Sequence, residues 1–250
     1  MFSDIFVETH WRAFYLQNSG KMRPIHILMV TIFAFAGLAV PLYGGETTCK
    51  PSGIQVNAAR SEDADRVCEA VNATEKLFQD CRLPDTPAGL RIDLVNELKK
   101  GCVALYHCGE NWIEVLSPDA MRNQRLPESA FALLGIDDYF RSVVVHELAH
   151  AVFDDMPCPF EYCVASAEYF AYALQVLSLT PEQQKMFEER AELDRKISRN
   201  ELNAMYLFIL PNRFAQKAWI HLSQRDDPCT FLGQVIDGAV AFDREPYQLK

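Results

Sequence analysis

The stretch RSVVVHELAHAVFDDM, residues 141–156, decides how this chain is read. The apolar run Val143 to Val145 leads straight into His146, Glu147 and His150, in a segment whose pattern predicts a helix over 137–155. Residues four apart share one helix face, so the two imidazoles stand one above the other. Glu147 projects beside that face. Ala149 and Ala151 leave room for another element to pack closely. Two histidines and a carboxylate on an apolar helix are either polar groups tolerated in a core or groups that bind something.

Working outward, the segments before the helix are rich in strand signals. LRIDLVNEL alternates as a strand does, and CVALYHCGENWIEVLSP gives two short β-rich runs around CGEN, the pattern of a hairpin. Upstream, residues 62–82 have helical spacing, with Val67, Val71, Leu77 and Phe78 apolar; LPDTPAGL then breaks the chain. CKPSGIQVNAARSED reads as an irregular or strand-containing lead-in. After the histidines the pattern is helical throughout. A second apolar-faced helix is expected over 163–179, and a charged one from Pro181 to about Ile197 with Thr180 as N-cap. Further helical stretches are NELNAMYLFIL and RFAQKAWIHLSQR. A few strands followed by many helices predict an α+β domain over residues 46–250: a small, mostly antiparallel sheet packed on the histidine helix, then a helical C-terminal half.

Composition narrows the partners. The 250 residues are 49% hydrophobic and 23% charged, an ordinary globular balance. The formal net charge is -10 and no basic stripe is present, which argues against nucleic acid as a partner. Lys21 and Arg23 precede IHILMVTIFAFAGLAVPLYGG, residues 25–45, a positive region followed by an apolar one and a tail of small residues. That is the pattern of an export signal, with cleavage expected between Ala39 and Gly45. The alternative is an uncleaved anchor over residues 25–43, the one route by which the chain would meet a membrane. Asp4 and Glu8 are unusual ahead of a signal, and Met22 is an alternative start.

All eight cysteines, Cys49, Cys68, Cys81, Cys102, Cys108, Cys158, Cys163 and Cys229, follow the signal. An even count in an exported chain implies a disulfide framework, in a periplasmic or secreted protein. Cys102 with Cys108 and Cys158 with Cys163 are the tempting local pairs. No C-x-x-C occurs, so a cysteine zinc site is not expected.

The spacing His146-Glu147-x-x-His150 is the H-E-x-x-H arrangement, in which two histidines bind zinc and the glutamate serves as general base. A mononuclear catalytic zinc needs a third protein ligand and an open position. HELAH, together with AEYFA at residues 167–171, resembles the gluzincin class of metallopeptidases. In that class a glutamate in an E-x-x-A-type helix follows eighteen or more residues later; here Glu168 lies eighteen after His150, with Ala171 three further on. The resemblance implies one Zn2+ per chain held by His146, His150 and Glu168, Glu147 as general base, a zincin-like fold and a peptide or protein substrate. It also implies a substrate-holding strand edge ahead of the helix, for which Trp112–Leu116 is the candidate. Asp154, Asp155 and Glu161 are the other nearby carboxylates; the aspartates read as solvated or as contacts to a ligating histidine. The metzincin pattern fails, because Phe153 and Met156 stand where glycine and histidine are needed.

One position departs from the thermolysin-like branch. Tyr172 stands where an aspartate would support a histidine. Tyr172 and Gln175 share the Glu168 face and read as core residues first, ligand-orienting or oxyanion-facing groups second; Tyr206 and His221 are other possible donors. His107 reads as structural or surface. Asn72-Ala73-Thr74 matches a glycosylation sequon. The expected activity is zinc-dependent peptide-bond hydrolysis by an exported enzyme; the alternative is a catalytically inactive binding module that keeps the fold. Oligomeric state and substrate preference are not legible.

Overall fold

The computed structural model describes residues 45–99 and 101–243. The expected signal, apart from Gly45, and the alternative start at Met22 lie outside those residues. Five strands form one sheet: β1 (Gly45–Thr48), β2 (Gln55–Ala58), β3 (Arg91–Val95), β4 (Ala104–His107) and β5 (Trp112–Leu116). Their order is β1-β2-β3-β5-β4. The class is α+β, as expected, but the sheet is evenly mixed rather than mostly antiparallel. β1 and β2 are antiparallel, as are β4 and β5, whereas β2–β3 and β3–β5 are parallel. α1 (Ser61–Asp80), a 20-residue crossover, makes β2 and β3 parallel, and β3 and β5 are parallel because the chain runs out to β4 and turns back as β5 between β3 and β4.

The register builds one continuous apolar row. Val56 pairs with Ile92, Ile92 with Ile113, and Ile113 with Tyr106, and all four side chains are buried. Against that row pack α1, through Val67, Ala70, Val71 and Phe78, and α3 (Ile136–Phe153). The opposite sheet face is polar: Asn57 donates to Asp93 at 2.7 Å, and so does the Trp112 indole at 2.8 Å.

A short helix, α2 (Pro118–Gln124), capped by Ser117, precedes α3. α3 is buried on nearly every side, because the sheet and α1 cover one flank and α4 (Val164–Leu177) the other. α4 is equally apolar, with Ala165, Ala167, Ala171 and Ala173 allowing the close approach the alanines predict. α5 (Pro181–Ala191) starts with a Thr180–Gln183 capping box but stops six residues short of the expected Ile197, at Glu192 in the left-handed region (φ 50). A 3-10 turn (Arg199–Glu201), α6 (Ala204–Ile209) and α7 (Pro211–Ser223) follow. α8 (Pro228–Ile236), absent from the sequence reading, carries a standard start: Asp227 accepts from the Thr230 N–H, with Pro228 next.

Three disulfides tie these elements: Cys49–Cys68, Cys81–Cys229 and Cys158–Cys163. They suit an oxidising, extracytoplasmic compartment. The expected Cys102–Cys108 bond is not formed. β4 lies extended between those residues at roughly 3.3 Å per residue, far beyond the ~7 Å that a disulfide spans between Cα atoms. Among the described residues no helix is long and apolar enough to cross a membrane.

Candidate metal centre

α3 and α4 meet where both turn polar residues toward one point. His146 and His150, one turn apart on α3, bring their Nε2 atoms to 3.1 Å from each other. From α4, the Glu168 carboxylate reaches them, with Oε2 at 3.7 Å from His146 Nε2 and Oε1 at 3.6 Å from His150 Nε2. All three ligand atoms lie within 4.8 Å of one another, the single group of this kind among the described residues. Glu147 is 7% exposed and borders the same cleft. The four residues expected from the sequence are thus brought together.

The electrostatics of this cluster are unfavourable as it stands. Burial lowers His146 well below the usual histidine value, and the neighbouring His150 lowers it further, while the Gln175 side chain pulls the other way. Burial takes His150 down to about 4. Glu147 is pushed up to about 8 by burial first and by Glu168 second, and Glu168 to about 8 by burial. His146 Nδ1 and Glu168 Oε2 are buried with no hydrogen-bond partner. An unpaired buried polar atom costs about 1–3 kcal/mol, so native structures rarely keep one. A cation between the three ligand atoms compensates the Glu168 charge and occupies both Nε2 lone pairs. The spacing suits zinc: ligand atoms about 2.0–2.1 Å from the ion in tetrahedral array stand about 3.3 Å apart. Two histidines and a glutamate also form a ligand set that leaves a position open. The residues present fit the ion.

The cleft's opposite wall is β4, but not in the role expected for Trp112–Leu116. β5 is interior, between β3 and β4, so β4 is the edge. Gly101 to Tyr106 line the cleft. The Tyr106 main-chain N–H faces the Glu147 carboxylate and opposes the rise of its pKa. Asp154 is exposed, as expected, and contacts no histidine. Its Oδ2 accepts from the Tyr106 hydroxyl at 2.9 Å and the Gly109 N–H at 2.6 Å, pinning the β4–β5 hairpin to the end of α3. Asp155 and Glu161 are exposed and stand outside the ligand group.

The other sequence candidates separate cleanly. Tyr172 lines the cleft with its ring edge-on to His146, centroids 4.6 Å apart, and Gln175 lines it while donating to Ser142 at 3.2 Å. His221 and Tyr206 are not on the cleft wall. His221 is buried against Tyr169, and Tyr206 lies under Lys217. Cys102 and Cys108 border the cleft, but burial raises both thiols, Cys108 to about 11, so neither offers a thiolate ligand at neutral pH. In the sequon Asn72 is exposed, while Thr74 is buried in α1 with its hydroxyl donated to the Ala70 carbonyl at 2.7 Å. His107 stacks on Trp112 and bonds Glu114, a structural role as expected.

Sequence reasoning missed the wall formed by the loop after α2. Arg125, Leu126, Ser129 and Phe131, with Tyr139 on α3 and Asn212 on α7, complete the cleft. No periodic or motif signal marks that loop. Asp243 was missed too: its carboxylate accepts from the Ala165 and Ser166 N–H groups at 2.9 Å each and from the Ser166 hydroxyl at 2.7 Å. It therefore caps α4, whose own N-cap residue, Cys163, offers no side-chain bond.

Fold and site together define an α+β protein with a buried two-histidine, one-glutamate cluster beside a sheet edge. The chain belongs to the family of unknown function DUF6639, whose model matches residues 54–245. No curated protein and no solved structure matches it.

Proposed function

We propose that this chain is an exported zinc-dependent hydrolase of peptide bonds, similar to the gluzincins, with one zinc per chain. One observation carries the reading. His146, His150 and Glu168 converge from two helices with ligand atoms within 4.8 Å of one another, beside a buried Glu147, in a cleft walled by a sheet edge.

His146 and His150 would hold the ion through Nε2, and Glu168 through its carboxylate. Zinc in such a site supplies Lewis acidity for the carbonyl and acidifies a water. Every other step belongs to the chain. Glu147, which borders the cleft beside the ligand cluster, takes the proton of the attacking water and passes it to the leaving amine. The outer edge of β4 pairs with no described strand, so it offers main-chain groups to an extended peptide. Tyr172, on the wall beside His146, offers a phenol proton to the oxyanion. The three disulfides support export.

The test joins metal analysis to turnover. The purified protein is expected to carry one zinc per chain and to lose peptide hydrolysis on chelation. Glu147→Gln is expected to keep the zinc and to lose activity by about 10²–10⁴-fold, the size of a general acid–base contribution. Full activity in Glu147→Gln, or after complete chelation, sinks the mechanism. Zinc bound tightly with no hydrolysis of any peptide favours the inactive binding module.

A further inference from the structure

The cleft holds two carboxylates, Glu147 and Glu168, in a chain of formal net charge -10. Its wall nevertheless carries Arg125, the one arginine or lysine among the lining residues. Arg125 directly follows α2 and is half-buried. Its guanidinium lies over the Tyr139 ring, 5.5 Å from the centroid, and donates to the Leu134 carbonyl at 2.6 Å. Among the described residues no carboxylate stands within ion-pair distance of it, and it is the cation that lines the cleft.

A guanidinium presents five N–H donors, and protein acceptors take few of these. Asn212, on the same cleft wall, accepts at Oδ1 from the Ala130 N–H at 2.9 Å, and its amide hydrogens meet no described acceptor. The wall is therefore rich in donors and short of acceptors. The aromatic face of Tyr139 favours the cation and fixes its plane. Between Arg125 and the metal cluster lie Phe131, Val143 and Tyr172, apolar surroundings that strengthen an ion pair formed there.

The position is set by α3. Tyr139 precedes His146 by seven residues, two helical turns or about 10 Å. An extended peptide advances about 3.3 Å per residue. A chain-end carboxylate about three residues from the scissile bond, or a side-chain carboxylate one or two residues from it, spans that gap.

We infer that the cleft selects substrates bearing a carboxylate on the side of the scissile bond that faces Arg125. The carboxylate is an aspartate or glutamate side chain or the C-terminal carboxylate of the peptide, since the planar guanidinium binds either with two parallel hydrogen bonds. This inference rests on the peptidase reading and narrows its substrate class.

The test uses the zinc-loaded full chain and fluorogenic peptides that differ only in Glu, Gln or Lys at the two residues on each side of the cleaved bond. Each is made with a free and with an amidated C-terminus. A carboxylate-bearing peptide is expected to show kcat/KM at least about tenfold above its uncharged isostere, the size of a charged hydrogen bond. A Glu-over-Gln difference assigns the side chain, and a free-over-amidated difference assigns the chain end. Arg125→Gln is expected to remove the preference, Arg125→Lys to keep only part of it, since an ammonium cannot form the two parallel bonds, and Arg125→Glu to move it to the Lys peptides. That gain cannot arise from unfolding. Equal rates for Glu and Gln and for free and amidated ends in the wild type overturn the inference and leave the peptidase reading intact. The same peptides are titrated calorimetrically into Glu147→Gln. Arg125-dependent binding of the carboxylate peptides, with no cleavage by wild type, overturns the peptidase reading and leaves carboxylate recognition standing. Neither cleavage nor binding overturns both.

Discussion

Two buried polar clusters lie on opposite sides of α4, and they are solved differently. Glu168 and Tyr169 are neighbours in sequence, yet one faces the cleft and the other the C-terminal helices. On the Tyr169 side every group has a partner. The Tyr169 hydroxyl bonds His221 Nδ1 at 2.8 Å, and His221 Nε2 meets the Arg225 guanidinium. Asp243 accepts three hydrogen bonds from the start of α4, and Ser166 in turn accepts the Phe242 N–H at 2.9 Å. On the Glu168 side two imidazole nitrogens face each other at 3.1 Å, a carboxylate oxygen and His146 Nδ1 are orphaned, and two carboxyls share the space. The same helix thus shows what this chain does with polar groups that serve only structure. It satisfies them. The unsatisfied set is the one the proposed ion would complete, since unpaired buried polar groups in native structures call for an explanation.

The difference has a sign that stability measurements can read. The largest expected effect is on the satisfied side. Asp243→Ala leaves the Ala165 and Ser166 N–H groups uncapped and removes a charge from the positive end of α4. The expected loss is about 2–3 kcal/mol, combining an N-cap with charged hydrogen bonds. Denaturant unfolding of the zinc-loaded protein checks it. A loss under about 0.5 kcal/mol would mean that the chain end does not hold α4.

On the other side the same operation should stabilise. In metal-free protein, Glu168→Gln is expected to raise stability at pH 6 by about 2 kcal/mol. The folded carboxyl titrates near 8 and the unfolded one near 4.5, so the native state retains a proton that the unfolded state has released. Stability therefore falls as pH rises through that interval, by up to about 1.4 kcal/mol per unit for each such carboxyl. His146, His150 and His221, held low, act in the opposite sense and fade as pH rises past about 6.5, so the carboxyls dominate the slope toward pH 8. Unfolding curves across that window should be flatter for the variant. An equal slope would remove Glu168 from the unsatisfied cluster.

How much of this was legible depended on range. α3 and α4 were readable because their apolar spacing is local, and His146, Glu147 and His150 because one helical turn relates them. Glu168 came from resemblance; spacing alone left Asp154, Asp155 and Glu161 open. β4 was missed as the edge because strand order is a long-range property: β5 passes between β3 and β4 although it follows both in sequence. Arg125 carries no local signal at all. Asp243 acts on residues more than seventy positions away, and the chain reaches it past Gly238, where an added Cβ would stand 2.9 Å from the Pro157 carbonyl oxygen. Asp227-Pro228 signals the start of α8, but its nine residues fall at the short end of helical patterns and carry too little periodicity to mark it.

The smallest effect sharpens the comparison most, because it uses one residue type twice. Tyr169 and Tyr172 are three apart on α4. The first has its hydroxyl bonded to His221, and the second lies edge-on to His146 on the cleft wall. Tyr169→Phe removes one buried hydrogen bond and strands His221 Nδ1, which should cost about 1 kcal/mol. It should leave zinc affinity and turnover within twofold of wild type, since its side of the helix does not touch the cleft. Tyr172→Phe should do the reverse: stability within about 0.5 kcal/mol, as for a substitution that breaks no buried bond, and reduced turnover. If both variants lowered stability alike and spared turnover, the cleft side of α4 would be ordinary core, and the contrast between the two clusters would no longer point to a ligand.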